Sequence, residues 1–239
     1  RPFDVDGARE LCGKHSLWLI EDAAQAQGAK WRGRRVGTFG ELATWSFYPA
    51  KNLGCFGDGG AVSGMDEELL RKVRSLANHG RAAHYHHVDV GTNSRLDALQ
   101  AAVLLCRLPL LDGDNESRRR VAAAYGTALA GAAGIELLED PDEAESVHHQ
   151  FTVLCERRDE LKEHLAGAGI GSAIHYPEPL HQQPALVREL GEPEPRPVAE
   201  RAATEVLCLP MFPELEEAEV TAVIEATTAF VERTRGSAR

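Results

Sequence analysis

No stretch of the 239-residue chain approaches the ~18 consecutive apolar residues that a membrane-spanning helix needs, and the first residues do not form a secretory signal. Disulfide chemistry is equally poorly provided for. The five cysteines (Cys12, Cys55, Cys106, Cys155 and Cys208) are odd in number, widely spread and never spaced C-x-x-C. That fits reduced thiols in a cytoplasmic protein better than a disulfide framework or a zinc knuckle. Basic residues are scarce beside acidic ones. With 26 Lys and Arg against 37 Asp and Glu, the net charge of −11 is too acidic for a nucleic-acid-binding surface. The one dense basic run, Arg118, Arg119 and Arg120, shares a helical pattern with Glu116 and reads as a solvated face. No H-E-x-x-H frame, no G-K-[ST] ending and no internal repeat is present.

What the chain does have is material for a core. At 43% hydrophobic and 26% charged it has the composition of a soluble globular protein, sized for one large domain or two modest ones. Asp6 or Gly7 starts a helix to about Gly13. LWLIED then sets four apolar residues before two acids, the pattern of a buried strand of a parallel sheet with carboxylates at its C-terminal end. KWRGRRVGTFG reads as turns or a small hairpin, and further strands are expected at LATWSF (Leu42 to Phe47) and GGAVSG. Asp66 caps a helix that Gly80 stops. RAAHYHHVDVGTN reads as a loop, SRLDALQAAVLLCRL as a buried helix or a subunit contact, and DGDN as a break before an amphipathic helix from Glu116 to Leu129.

After Gly134 short strands and helices alternate: IELLED, HHQFTVLC, RRDELKEHLAGAG, IGSAIHYP, a capped AERAATEVLCLP, and a last helix from about Glu216 to Arg233, with EPEPRPV (Glu192 to Val198) as a loop. The expected organisation is a large α/β domain over residues 1–112 and a small α+β domain over 113–239.

One segment raises a chemical question. In SFYPAKNLGCFGDGG a single lysine, Lys51, sits between a short aromatic run and a glycine-rich turn. A lysine acting as an amine nucleophile must lose its proton near neutral pH, and apolar surroundings favour that. Asp22 closes the LWLIED strand. A carboxylate there can simply cap the next turn. It is followed, however, by the small or amide-bearing Ala23, Ala24 and Gln25, which let a flat ligand approach the backbone. In open α/β sheets ligands bind at such strand ends. A carboxylate for a pyridinium nitrogen together with a lysine for a Schiff base is the site that pyridoxal phosphate demands, with Gln25 placed to meet a ring oxygen and the Ser46 hydroxyl to meet the phosphate.

The phrases EDAAQAQGA, GTFGELATWSFYPAKNLGCFGDGGAV, LANHG and GTNSRLDALQAA, in this order, resemble the sugar aminotransferases of the DegT/DnrJ/EryC1/StrS family. IHYPEPLHQQPA and VLCLPMFPEL resemble its small-domain pattern, so the likeness covers essentially the whole chain. It implies a pyridoxal-phosphate-dependent transferase of fold type I, aspartate aminotransferase-like, with an incomplete large-domain mixed sheet and a small α+β C-terminal domain. It implies a transaminase moving an amino group from glutamate or glutamine to a nucleotide-linked keto sugar, in amino-sugar biosynthesis.

By the same resemblance Lys51 and Asp22 are catalytic, and Asp22, Gln25, Ser46, Lys51 and Asn93 bind the cofactor. Asn93 would reach the partner's phosphate across a homodimer. Arg95, His175 and Tyr176 are candidates for substrate contacts. Lysine rather than histidine at position 51 favours transamination over the family's dehydratase branch.

Other residues carry plainer expectations. His84, His86 and His87 belong to a substrate-facing or interface loop rather than a metal site. His148 and His149 are structural, and Trp18, Trp31 and Trp45 belong to core or interface. Family members also carry an upstream portion with a Gly-Thr phosphate-binding turn and a ring that stacks on the cofactor, and neither is found between Arg1 and Glu21. The chain, which begins without methionine, is therefore expected to be a piece of a longer reading frame. The alternative is a short non-catalytic homologue that binds a sugar nucleotide or a full-length partner.

Overall fold

The structure is a computed structural model that describes residues 1–236. It divides into two units, Arg1–Glu116 with Asp140–His149, and Ser117–Glu139 with the chain from Gln150 onward.

The first unit opens with α1 (Val5–His15). Asp4 caps it by accepting from the Gly7 N–H at 3.0 Å, Lys14 and His15 meet the negative end of the dipole, and Ser16 leaves it in the left-handed region. β1 (Ile20–Asp22) pairs in parallel with β4 (Leu42–Ser46), which pairs antiparallel with β5 (Gly60–Gly64), giving a mixed three-stranded sheet. Between β1 and β4 the hairpin of β2 (Lys30–Trp31) and β3 (Arg34–Arg35) forms as expected.

The apolar run before Asp22 corrects the sequence expectation. Only Ile20–Asp22 is strand, Trp18 and Ile20 are 69% and 59% exposed, and the buried member is Glu21 at 2%. β1 is an edge strand of this sheet, and among the described residues nothing covers the side chains of Trp18 and Ile20. Glu21 is buried for a different reason. Its Oε2 accepts from the Gly37 N–H (2.7 Å) and its Oε1 from the N–H groups of Phe39 (2.7 Å) and Gly40 (2.9 Å). One carboxylate thus satisfies the backbone of the turn that leads into β4. Ala23, Ala26, Ala29, Val36 and Val147 form the small apolar cluster beside it.

α2 (Glu67–Ala77) is as expected, with Asp66 Oδ1 accepting from Glu68 N (2.7 Å) and Leu69 N (3.0 Å). RAAHYHHVDVGTN is not simply a loop: β6 (Arg81–Ala83) and β7 (His86–His87) pair across Tyr85, whose positive φ of 57° makes the turn. In α3 (Ala98–Arg107) Leu104 is buried but Leu99 and Leu105 are 82% and 72% exposed, so it is not a buried helix. DGDN does not break the pattern either. It lies in the first turns of α4 (Leu111–Leu129), where Asp112 and Asp114 face the positive end of the dipole.

Beyond α4, β8 (Glu136–Leu137) belongs to the second unit, while β9 (Ala144–Glu145) pairs with β2 in the first. In the second unit β10 (Phe151–Leu154) lies between β8 and β11 (Val206–Leu209) in an antiparallel sheet. α5 (Arg158–Gly167), α6 (Pro184–Leu190), α7 (Pro197–Glu205) and α8 (Glu217–Gly236) complete it. IGSAIHYP forms no strand there, only an isolated bridge between Ala173 and Cys208. The core gathers Tyr125 and Leu129 of α4, Leu161 and Leu165 of α5, Leu207 of β11 and Val223 and Phe230 of α8. Each such leucine contributes about 2 kcal/mol by leaving water. Tyr125 is fully buried, donates its hydroxyl to the Pro210 carbonyl at 3.0 Å, and has its pKa pushed up to about 12, first by burial and then by Glu219.

Arg118 is not solvated: it is buried, and its Nη1 donates to the Met211 carbonyl at 2.9 Å. Trp31 is core, Trp45 half-buried and Trp18 exposed. Among the described residues no helix is long and apolar enough to cross a membrane.

Replacing Glu21 leaves three backbone donors without their acceptor. Glu21→Ala is expected to lower the unfolding free energy by about 3 kcal/mol in urea titrations, and Glu21→Gln by less, since one oxygen remains.

Candidate active site

Both strands that pair in parallel, β1 and β4, end on a residue singled out in the sequence. Asp22 lies opposite Thr44, and Ser46 closes β4 two residues further on. Asp22 is exposed at its strand end, and its Oδ1 accepts from the Ala24 N–H at 3.1 Å. That is the turn-capping contact of the plain reading, and it also fixes the carboxylate. Gln25 is exposed on the same turn, whereas Gln27 is buried. Gln27 Nε2 donates to the Ser46 carbonyl at 2.6 Å and to the Ala24 carbonyl at 3.3 Å, tying the loop after β1 to the end of β4. Ser46 Oγ accepts from the Tyr48 N–H at 3.3 Å.

The glycine-rich turn after Lys51 is built for close packing of chain on chain. Phe47 N–H donates to the Gly59 carbonyl and Cys55 N–H to the Phe47 carbonyl, both at 2.8 Å, folding the segment back on β4. A Cβ on Gly54 would lie 2.5 Å from the Pro49 oxygen and 2.8 Å from that of Tyr48, so no side chain fits. On Gly59 it would stand 2.9 Å from Cys55 Sγ.

At the tip of this turn Lys51 is half-buried and its N–H donates to the Tyr48 carbonyl at 2.8 Å. Partial burial lowers the pKa of its ammonium, and the Asp22 charge pushes it back up. Lys51 and Asp22 are thus within each other's electrostatic reach, and the amine is easier to deprotonate than a solvated lysine.

Sequence reasoning missed the amides beneath this tip. Asn52 and Asn115 are 4% and 1% exposed. Asn52 Nδ2 donates to Asn115 Oδ1 at 2.7 Å and to the Val147 carbonyl at 2.9 Å, and Asn115 Nδ2 donates to the Gln27 carbonyl at 2.8 Å. His149 Nδ1 stands 3.1 Å from Asn52 Oδ1. A buried amide that loses its partner costs about 1–3 kcal/mol, so this arrangement is held firmly. The one signal available was the position of Asn52 directly after the lysine.

The remaining candidates make contacts of their own. Asn93 and Arg95 are exposed, with Arg95 Nε donating to Asn93 Oδ1 at 3.0 Å, and Asn93 bridges to Asn78. His175 and Tyr176 belong to the second unit and are exposed, their rings edge-on at 5.3 Å. His84 Nδ1 lies 2.7 Å from Arg81 Nη2, and His87 Nδ1 lies 2.8 Å from the His79 carbonyl. Among the described residues no group of three or more His, Cys, Asp or Glu is placed to hold a metal ion.

The family profile described as the DegT/DnrJ/EryC1/StrS aminotransferase family matches residues 1–228. The chain belongs to this family.

It is 49% identical over 232 residues to a dTDP-3-amino-3,4,6-trideoxy-alpha-D-glucose transaminase of Streptomyces venezuelae, covering 97% of this chain and 61% of that protein. It is 46% identical over 222 residues to a UDP-N-acetyl-3-dehydro-alpha-D-glucosamine 3-aminotransferase of Acidithiobacillus ferrooxidans, covering 93% and 59%. The crystal structure of S. venezuelae DesV in complex with a ketimine intermediate superposes with a TM-score of 0.92 at 48% identity, covering 97% of this chain and 62% of that one. NtdA of Bacillus subtilis, solved with its cofactor PMP bound, gives 0.86 at 29%, covering 97% and 54%. The chain thus spans about three fifths of the length of the first relatives it matches. Its fold is that of the fold type I sugar aminotransferases, which are pyridoxal phosphate enzymes.

The donor set suits that cofactor: an amine of lowered pKa, a carboxylate within its electrostatic reach, and a hydroxyl at the neighbouring strand end. Acylation of Lys51 by an amine-specific reagent, followed by mass spectrometry across pH, is expected to reach half-maximum below the ordinary lysine value of 10.5. Asp22→Asn removes the charge that holds the proton on, so the midpoint should move further down, whereas an upward shift would contradict the electrostatics.

Proposed function

We propose that the chain is the lysine-bearing part of an aminotransferase that moves an amino group from glutamate or glutamine to a nucleotide-linked keto sugar. The observation that carries this is a partly desolvated lysine in the turn after β4 that lies within electrostatic reach of Asp22, the carboxylate that ends the parallel neighbour β1. The names of the relatives, which act on dTDP- and UDP-linked sugars, support the substrate class.

Lys51 Nζ would hold the cofactor and would serve as the base that takes a proton from the reacting carbon and returns it. Asp22 would hold the ring nitrogen protonated, Gln25 would meet the ring oxygen, and the Ser46 hydroxyl would donate to the phosphate. When bound, pyridoxal phosphate supplies an electron sink for the carbanion left by proton removal. The lowered pKa of Lys51 serves this directly, because a base must be free of its own proton near the working pH.

In the same reading Arg95, His175 and Tyr176 contact the substrate, and Asn93 serves the cofactor phosphate of a partner in a homodimer. The exposed Leu99, Leu105, Leu108 and Leu110 supply apolar surface that suits such a subunit contact.

Incubation with pyridoxal phosphate, borohydride reduction and peptide mapping test the assignment. An absorbance band at ~410–430 nm should appear before reduction, and the covalent label should fall on Lys51 and vanish in Lys51→Ala. Asp22→Asn should keep the label but slow amination of a nucleotide-linked keto sugar about a hundredfold. Labelling spread over exposed lysines, or unchanged in Lys51→Ala, overturns the assignment.

A further inference from the structure

A reactive lysine at the tip of a loop needs something to hold the tip. The ends of the loop are pinned by backbone bonds, Phe47 N–H to Gly59 and Cys55 N–H to Phe47. Residues 49 to 53 lie between those pins, and two of their side chains are buried: Leu53, which packs with Cys55, Leu104 and Leu111, and Asn52, next to Lys51, which makes hydrogen bonds there. Its amide nitrogen spends one hydrogen on Val147 O and the other on Asn115 Oδ1, while its oxygen faces His149 Nδ1. Asn115 uses the other half of its own amide on Gln27 O, and Gln27 Nε2 reaches Ser46 O.

We infer that Asn115 is a positioning residue for Lys51, acting through Asn52. It sits in the first turns of α4, is 1% exposed, and is orientationally fixed because its donor and acceptor ends face different partners. A flip of its amide would set donor against donor at Asn52 and acceptor against acceptor at Gln27. The same amide therefore joins the loop after Asp22 to the residue after Lys51, and Gln27 extends the connection to the end of the strand bearing Ser46. Asn115 makes these links with protein groups alone. The partial burial of Lys51, which lowers its pKa, depends on where the tip is held.

This inference rests on Lys51 being the reactive amine, so the experiment separates the two. The full chain, Asn115→Ala, and Leu161→Ala as a core deletion in the second unit are compared by hydrogen exchange and by the pH profile of Lys51 acylation, with the exposed Lys14 as internal reference. In Asn115→Ala the segment 47–55 should exchange about tenfold faster with α2 unchanged. The Lys51 midpoint should rise toward the ordinary value, with a loss of its reaction at pH 8.5 relative to Lys14. Leu161→Ala should leave both readouts as in the parent chain.

Unchanged exchange over 47–55 overturns the inference. So does a loosened loop with an unmoved Lys51 profile, or the same two changes in Leu161→Ala. If Lys51 of the parent chain reacts as an ordinary lysine, the assignment of Lys51 falls instead, and the exchange measurement alone decides whether Asn115 holds the loop.

Discussion

The buried amides of Asn52 and Asn115 are hydrogen-bonded at both ends, and in the first unit those bonds bring four stretches of chain together. Gln27, Asn52, Asn115 and the Val147–His149 segment are held by one another's donors and acceptors, at distances between 2.7 and 3.1 Å. Apolar packing is non-directional, so by itself it sets the orientation of a group less closely. Hydrogen bonds between buried amides are directional and fail within a few tenths of an ångström or a wrong flip. The arrangement under Lys51 is therefore oriented by polar geometry, while Leu53 and Cys55 of the same loop pack with Leu104 and Leu111. The cluster of Ala23, Ala26, Ala29, Val36 and Val147 beside it is small and lined by short side chains.

Glu21 and Asp22 show how adjacent carboxylates take different roles from their surroundings. Glu21 points inward and its oxygens are used by three backbone N–H groups of the turn into β4. Asp22 points outward at the strand end, bonded to Ala24 N–H and within electrostatic reach of Lys51. The alternation of a strand sends neighbours to opposite faces, and only the fold says which face is which. Strand logic assigned Glu21 no role in the sequence, yet it organises the turn that delivers β4, and with it Ser46, to its place beside β1.

Much of the local structure was legible because it is governed by short-range rules. The Asp66 cap, the β2–β3 hairpin, the strand ending at Ser46 and the terminal helix depend on residues a few positions apart. Misreadings arose where a distant neighbour decides. LWLIED has the pattern of a buried strand, but its pairing is one-sided and Trp18 stays exposed. Arg118 has the composition of a solvated face, but the Met211 carbonyl, 93 positions away, draws its guanidinium inward. Nothing in the texture of residues 140–149 signals that they return to the first unit and place Val147 and His149 against Asn52.

By itself the sequence determined the order of the chemical groups: a carboxylate closing one strand, a hydroxyl near the end of the next, a lysine five residues later, and the phrases that mark the family. Those are properties of neighbours along the chain, set by residue type and spacing. The tertiary structure alone decided that the amide of Asn115 lies under the tip that carries Lys51. Asn52 and Asn115 are 63 positions apart, and an asparagine's composition says nothing about which distant group will satisfy it once water is excluded.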